Sequence, residues 1–290
     1  MKIPIVFTFD ENYAAAGSVA IQSLLATKNP ETEYEIIVVH SGLSGEAKAK
    51  LEQWHPVRWI KFEPEKYGAL IVSDRYNIAC WYAAFLPEIL TEYDKILYSD
   101  VDVLFKRDVS EAFYTDLGSK ALAAVPVFYN NGPDKTELEK RMGDVVYTGD
   151  FLVMNLDCCR RAHSAAQMVQ LASEYKDSLG AIQMELMNIV AKDAIVPLSF
   201  EYDVIAACYY NYILHGAIYA TNYYSTEQMV EAIKNARKIH YTCDFDVCKI
   251  WNDNPENIPQ DYMPYLLKSG FYKGAEQVYN PVDSEVDPWA

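Results

Sequence analysis

Over its first hundred residues the chain alternates short apolar runs with amphipathic stretches, and this rhythm limits the available folds more than any other feature. Ile3 to Phe9, Tyr34 to His40 and Val57 to Phe62 are apolar runs of strand length. Between them, Tyr13 to Ala26 and Glu46 to Trp54 carry helical periodicity. Strand, helix and strand in succession call for an α/β domain whose parallel strands are joined by right-handed crossovers. Helical periodicity resumes at Ile78 to Leu90, and Lys95 to Ser99 (KILYS) reads as a fourth, buried strand. Ligands of open α/β sheets bind beyond the carboxyl ends of the strands. Two polar segments fall there, Thr8 to Tyr13 after the first strand and Asp100 to Asp102 after the fourth.

Downstream, Val145 to Leu156 reads as a strand opening a second half, followed by helical patterns at Cys158 to Tyr175 and Ile182 to Ala191. Arg237 to Thr242 is a late, short strand. Neither a Pro/Gly/Ser-rich linker nor a repeat separates the halves, which predicts one domain over residues 1–251. Residues 252–290 form an acidic, proline-containing C-terminal extension packed on it, with its last residues loosely ordered. A chain of 290 residues buries a sizeable core without crosslinks. The six cysteines show neither a secreted framework nor paired CxxC spacing. The N-terminal apolar run is too short for a signal peptide or a membrane span, and the expected location is cytoplasmic. A formal charge of -16 argues against a nucleic-acid partner or a polybasic membrane patch, and suits a protein that carries a divalent cation.

The acidic pair after the fourth strand lies in YDKILYSDVDVLF. In extended backbone, residues i and i+2 point the same way, so Asp100 and Asp102 face one pocket while Val101 turns into the core. Two hard oxygen ligands at this spacing suit Mn²⁺ or Mg²⁺, which keeps its other positions for water and phosphate oxygens. Aspartate-nucleophile phosphohydrolases also use such a pair. Theirs follows the first strand, however, and no downstream lysine with paired aspartates completes that pattern here.

Four segments together resemble glycosyltransferase family 8: IPIVFTFDENYAAAGSVAIQSLL; YDKILYSDVDVLF; VYTGDFLVMNLDCCRR; and the pair IQMELMNIV with KIHYTCDFDVCKIW. The resemblance implies a glycosyltransferase-A fold, a Rossmann-like mixed sheet flanked by helices. It further implies a UDP-sugar donor, Mn²⁺ or Mg²⁺, and transfer of a hexose with retention of configuration to a saccharide or glycan-precursor acceptor. By position, Thr8, Asp10, Asn12 and Tyr13 would hold uridine and ribose, with Tyr13 stacked on the base. Asp100, Asp102 and His240 would hold the metal, with the backbone at Val101 near the ribose. Lys249 would contact the donor phosphate. Read locally, Asn12 and Tyr13 simply open a helix, with Asn12 as its N-cap.

The departures from the family pattern cluster where sugar is handled. Ala83 stands where the family carries an arginine. The family's Asn-Ala-Gly becomes Thr148-Gly149-Asp150, and its Asp-Gln-Asp becomes Gln183-Met184-Glu185, or Gln183 matches the glutamine if the register shifts by one residue. A methionine thioether accepts no strong hydrogen bond, which leaves Glu185, Asp150 and Gln183 as the catalytic candidates. In a retaining transfer the leaving phosphate can take the acceptor proton itself, so no protein nucleophile is required. The alternative is a protein of this kind that binds nucleotide with weak or lost catalysis.

Overall fold

The computed structural model describes residues 2–67, 70, 78–127, 136–218, 223–241 and 257–272. Its central sheet has seven strands: β1 (Ile3–Thr8), β2 (Tyr34–His40), β3 (Val57–Lys61), β4 (Lys95–Ser99), β6 (Leu122–Val127), β7 (Val146–Asn155) and β8 (Ile195–Pro197). A second sheet holds β5 (Val103–Phe105), β9 (Val204–Ile205) and β10 (Lys238–His240). The large sheet runs β3-β2-β1-β4-β7-β6-β8. Its first four members are parallel, and β7 lies antiparallel to both β4 and β6. Parallel strands buried on both faces account for the unbroken apolar runs of β1 and β2.

Helices cover the sheet on both sides. α1 (Ala14–Thr27) and α2 (Gly45–Glu52) follow β1 and β2. Gly17 of α1 is required by packing, because a Cβ there would stand 2.7 Å from the Phe9 ring. The turn before α1 is capped by Asp10, whose carboxylate accepts the Asn12 N–H at 2.9 Å; Asn12 is therefore not the cap.

The helix expected over 78–90 is broken into 3-10 turns at Ile78–Trp81 and Ala83–Phe85 and a short α3 (Leu86–Ile89). Pro87 supplies no N–H and its ring crowds the carbonyl one turn back, so a continuous helix cannot pass. The pattern over 158–175 likewise divides into α6 (Leu156–Arg161) and α7 (Ser164–Tyr175), separated by His163 in the left-handed region at φ 51°. α4 (Ser110–Phe113), α5 (Glu137–Met142), α8 (Ile182–Val190), α9 (Ala206–His215), α10 (Thr226–Lys234) and α11 (Met263–Lys268) complete the helices of the described residues. Tyr262 and Leu266, at and within α11, are buried in the same core as α1, and Gln22 donates to the Tyr265 carbonyl at 3.1 Å.

Asp108 buckles the end of β5 to the start of β2. Its carboxylate accepts Thr32 Oγ1 at 2.7 Å, Tyr34 OH at 2.9 Å and the N–H groups of Asn29 and Ser110. Burial opposes ionisation here, but the Thr32 hydroxyl and the two amides outweigh it and hold the carboxyl at about 2. Asp108→Ala is expected to cost about 3 kcal/mol, seen as a lower urea midpoint, because it strands those donors. The folded-state value lies below the unfolded one. The contribution is therefore complete above about pH 4 and lost as pH falls through about 2.

Candidate active site

At Ser99 the chain leaves the large sheet, bends over residues 100–102, and enters the small sheet at Val103. The acidic pair thus sits on a bend between two strands rather than in a continuous one. Val101 is buried in the core as expected, and its two neighbours are half-buried at the crossing. Antiparallel pairing of Ser99 with Phe151 places Asp150 beside Asp100, and the Asp100 N–H donates to the Asp150 carbonyl at 3.0 Å. Pairing of Val103 with His240 brings the imidazole from β10, and the Tyr241 N–H donates to the Asp102 carbonyl at 2.8 Å. Period-two alternation along β10 turns Lys238 and His240 to the cluster, and Ile239 joins the core.

His240 Nε2 lies 3.4 Å from Asp102 Oδ1, and Nδ1 lies 3.3 Å from Asp150 Oδ2 and 3.6 Å from Asp203 Oδ1. Ligand atoms of Asp100, Asp150 and His240 fall within 4.8 Å of one another. Beneath them, fully buried Lys238 places Nζ 2.7 Å from Asp203 Oδ1 and donates to the Asp150 carbonyl at 3.0 Å. Tyr98 OH donates to Asp100 Oδ1 at 2.5 Å and stands 3.2 Å from Thr8 Oγ1, which links the first segment to the second.

Charge is crowded here. Burial, with the carboxylates of Asp150 and Asp102, raises the Asp100 carboxyl well above the usual range. Burial alone would lower His240, but Asp150 and Asp102 outweigh it and hold the imidazole well above its ordinary value. Burial would raise Asp150, yet His240, Lys238 and the Thr148 hydroxyl keep its carboxyl below the usual range. The surplus of oxygen donors around one imidazole fits a hard divalent cation, which would relieve the carboxylate repulsion.

Thr8, Asp100, Asp102, Asp150, Gln183 and His240 are therefore brought together. Gln183 bonds the Gly149 carbonyl at 2.9 Å and reaches the Tyr98 hydroxyl. Glu185 is not: its carboxylate accepts the N–H groups of Gly180 and Ala181 at 2.7 and 3.0 Å, bracing the start of its own helix. Asp10, Asn12 and Tyr13 form the turn after β1, and Lys249 lies outside the described residues. Ala83 and Gln183 share the wall of an apolar cavity of about 110 Å³, between α8, the small turns before α3, and β7. Tyr98, Asp203 and Lys238 belong to the cluster but escaped sequence reasoning. Lys238 carried a usable signal, a lysine two residues before His240 and so on the same face of the strand.

A mixed sheet whose strand ends gather an acidic pair, a histidine and a neighbouring turn is the arrangement of the glycosyltransferase-A type of fold. The chain belongs to glycosyl transferase family 8, whose model matches residues 4–254. It is 21% identical over 274 residues to general stress protein A of Bacillus subtilis (strain 168), covering 90% of this chain and 92% of that protein. The fold is similar to that of galactosyltransferase LgtC in complex with donor and acceptor sugar analogues. That match has TM-score 0.74 and 21% identity, and covers 93% of this chain and 96% of that one. The apo bifunctional glycosyltransferase WbbM is also similar, with TM-score 0.72 and 21% identity over 95% of this chain, which spans only 50% of WbbM. Among the described residues no helix is long and apolar enough to cross a membrane.

Proposed function

We propose that this glycosyltransferase moves a hexose from a UDP-sugar to a saccharide or glycan-precursor acceptor, with retention of configuration and with Mn²⁺ or Mg²⁺ bound. The observation that carries the reading is the convergence of Asp100, Asp102 and His240 where the chain passes from one sheet to the other. These three would hold the cation, which when bound neutralises charge on the departing diphosphate. Thr8, Asp10, Asn12, Tyr13 and the Val101 backbone would seat the nucleotide, and Lys249 its phosphate. Gln183 offers an amide at the sugar end, beside the Gly149 carbonyl. The half-buried Asp150 carboxylate is engaged by His240 and Thr148, so it supports this machinery better than it attacks a sugar.

The test is UDP release from a panel of UDP-sugars with Mn²⁺, with and without simple saccharide acceptors, beside an Asp102→Asn control. Release from one donor, absent in the control, is expected. Metal-dependent UDP binding with no release under any condition would favour a binding protein, and no UDP binding at all would sink the reading.

A further inference from the structure

His240 presents its two ring nitrogens to different carboxylates. On the Nε2 side stands Asp102, at 3.4 Å; on the Nδ1 side stand Asp150 at 3.3 Å and Asp203 at 3.6 Å. A neutral imidazole donates from one nitrogen and ligates with the other, and which does which is set by its hydrogen-bond partner. Metal-bound histidines characteristically give the second N–H to a carboxylate or carbonyl, which fixes the ring and its tautomer.

We propose that Asp150 is a positioning residue of the cation site: it accepts the Nδ1–H of His240 and so turns Nε2 toward the cation beside Asp102. This rests on the metal-dependent reading above. Asp150 is itself rigidly held. Its N–H donates to Thr148 Oγ1 at 3.1 Å, the Thr148 hydroxyl donates back to Oδ2, and its carbonyl accepts from the Asp100 N–H and from Lys238 at 3.0 Å each. An oxygen committed to a threonine and a histidine has little left for attack on a sugar. Lys238 also pairs with Asp203 at 2.7 Å, which keeps the second carboxylate behind the same ring nitrogen. The Thr-Gly-Asp segment, one of the departures of this chain from its family's pattern, thereby acquires a role in orienting a metal ligand rather than in reading the sugar.

The experiment titrates the full-length protein with Mn²⁺ without nucleotide, following free Mn²⁺ by electron paramagnetic resonance, with thermal melts as a folding control. Asp150→Ala is expected to weaken binding about 10- to 100-fold, the usual loss when such an outer carboxylate is removed. Asp150→Asn, whose amide oxygen accepts the same N–H, is expected to recover most of it. Equal affinity of Asp150→Ala and wild type overturns the proposal, and so do equal losses in both variants, which would mark Asp150 as a direct ligand. If wild type takes up no Mn²⁺ in the presence or absence of UDP, the functional reading itself fails. A second measurement needs no Asp150 variant. With ¹⁵N-labelled histidine and diamagnetic Zn²⁺ bound, the His240 signal, assigned among the five histidines by His240→Gln, is expected to show Nδ1 protonated and Nε2 unprotonated. The opposite tautomer overturns the proposal.

Discussion

Asp100→Asn is expected to raise the melting temperature of the metal-free protein while lowering UDP release about 10²- to 10³-fold, the usual scale for losing a group that stabilises transition-state charge. The two effects share one cause. Burial, Asp150 and Asp102 all disfavour the Asp100 anion, and its value in the folded protein stands well above the unfolded one. A group raised on folding contributes fully below its unfolded value, about 4, and loses that contribution as pH rises from there through its raised folded value. At neutral pH the carboxylate therefore works against the fold, and an isosteric amide removes the penalty while its oxygen still accepts from Tyr98. Each kcal/mol gained appears as about 2–4 °C in a chain of this size. Saturating Mn²⁺ reverses the order. Wild type at 100 times its Kd gains about 2.7 kcal/mol from binding, and the variant gains little. Calorimetric melts with and without Mn²⁺ check this directly. A variant that melts like wild type and keeps the full Mn²⁺ gain would remove Asp100 from the cation site.

β1, β2 and β4 were legible as mostly apolar runs between punctuating turns, β3 (VRWIK) as a shorter run with charged residues interspersed, and β7 because it runs for ten residues. β5, β8, β9 and β10 are only two or three residues long, too short for a period to show. Of these, only β10 was read, within the longer segment Arg237 to Thr242. β6 was concealed by its own composition: LAAVPV holds Pro126 at the point where its register with β7 shifts, the irregular position that a strand proline tolerates. Within the site, Asp100, Asp102 and His240 could be named from motif and resemblance, whereas Asp203 follows a 3-10 turn with no periodicity to mark it. Gln183 and Glu185 were read together as catalytic candidates, yet two residues at 100° each stand about 200° apart around a helix. Only one of the pair can face the cluster, and it is Gln183, while Glu185 folds back on Gly180 and Ala181. The local chemistry of the start of α8 decided this, and no apolar pattern encodes it.

Lys238→Met is expected to destabilise the protein by about 3–5 kcal/mol, the scale for removing one partner of a buried ion pair. Lys238 and Asp203 expose 0% and 2% of their side chains, so solvent cannot take over the ammonium's role toward Asp203 or the Asp150 carbonyl. Removing both charges, as in Lys238→Met with Asp203→Leu, is expected to return most of that stability, because well-packed apolar pairs replace buried ion pairs at little cost. Denaturant midpoints of the two single variants and the double variant measure the coupling. A double variant no more stable than Lys238→Met would mean that the lysine acts by packing alone. Recovery of the fold is not expected to bring recovery of function. The pair lies directly behind His240 Nδ1 and the Asp150 backbone, and apolar replacements cannot hold either group in register. The buried pair contributes little net stability, yet it keeps the imidazole and the Asp150 backbone in register at the proposed cation site.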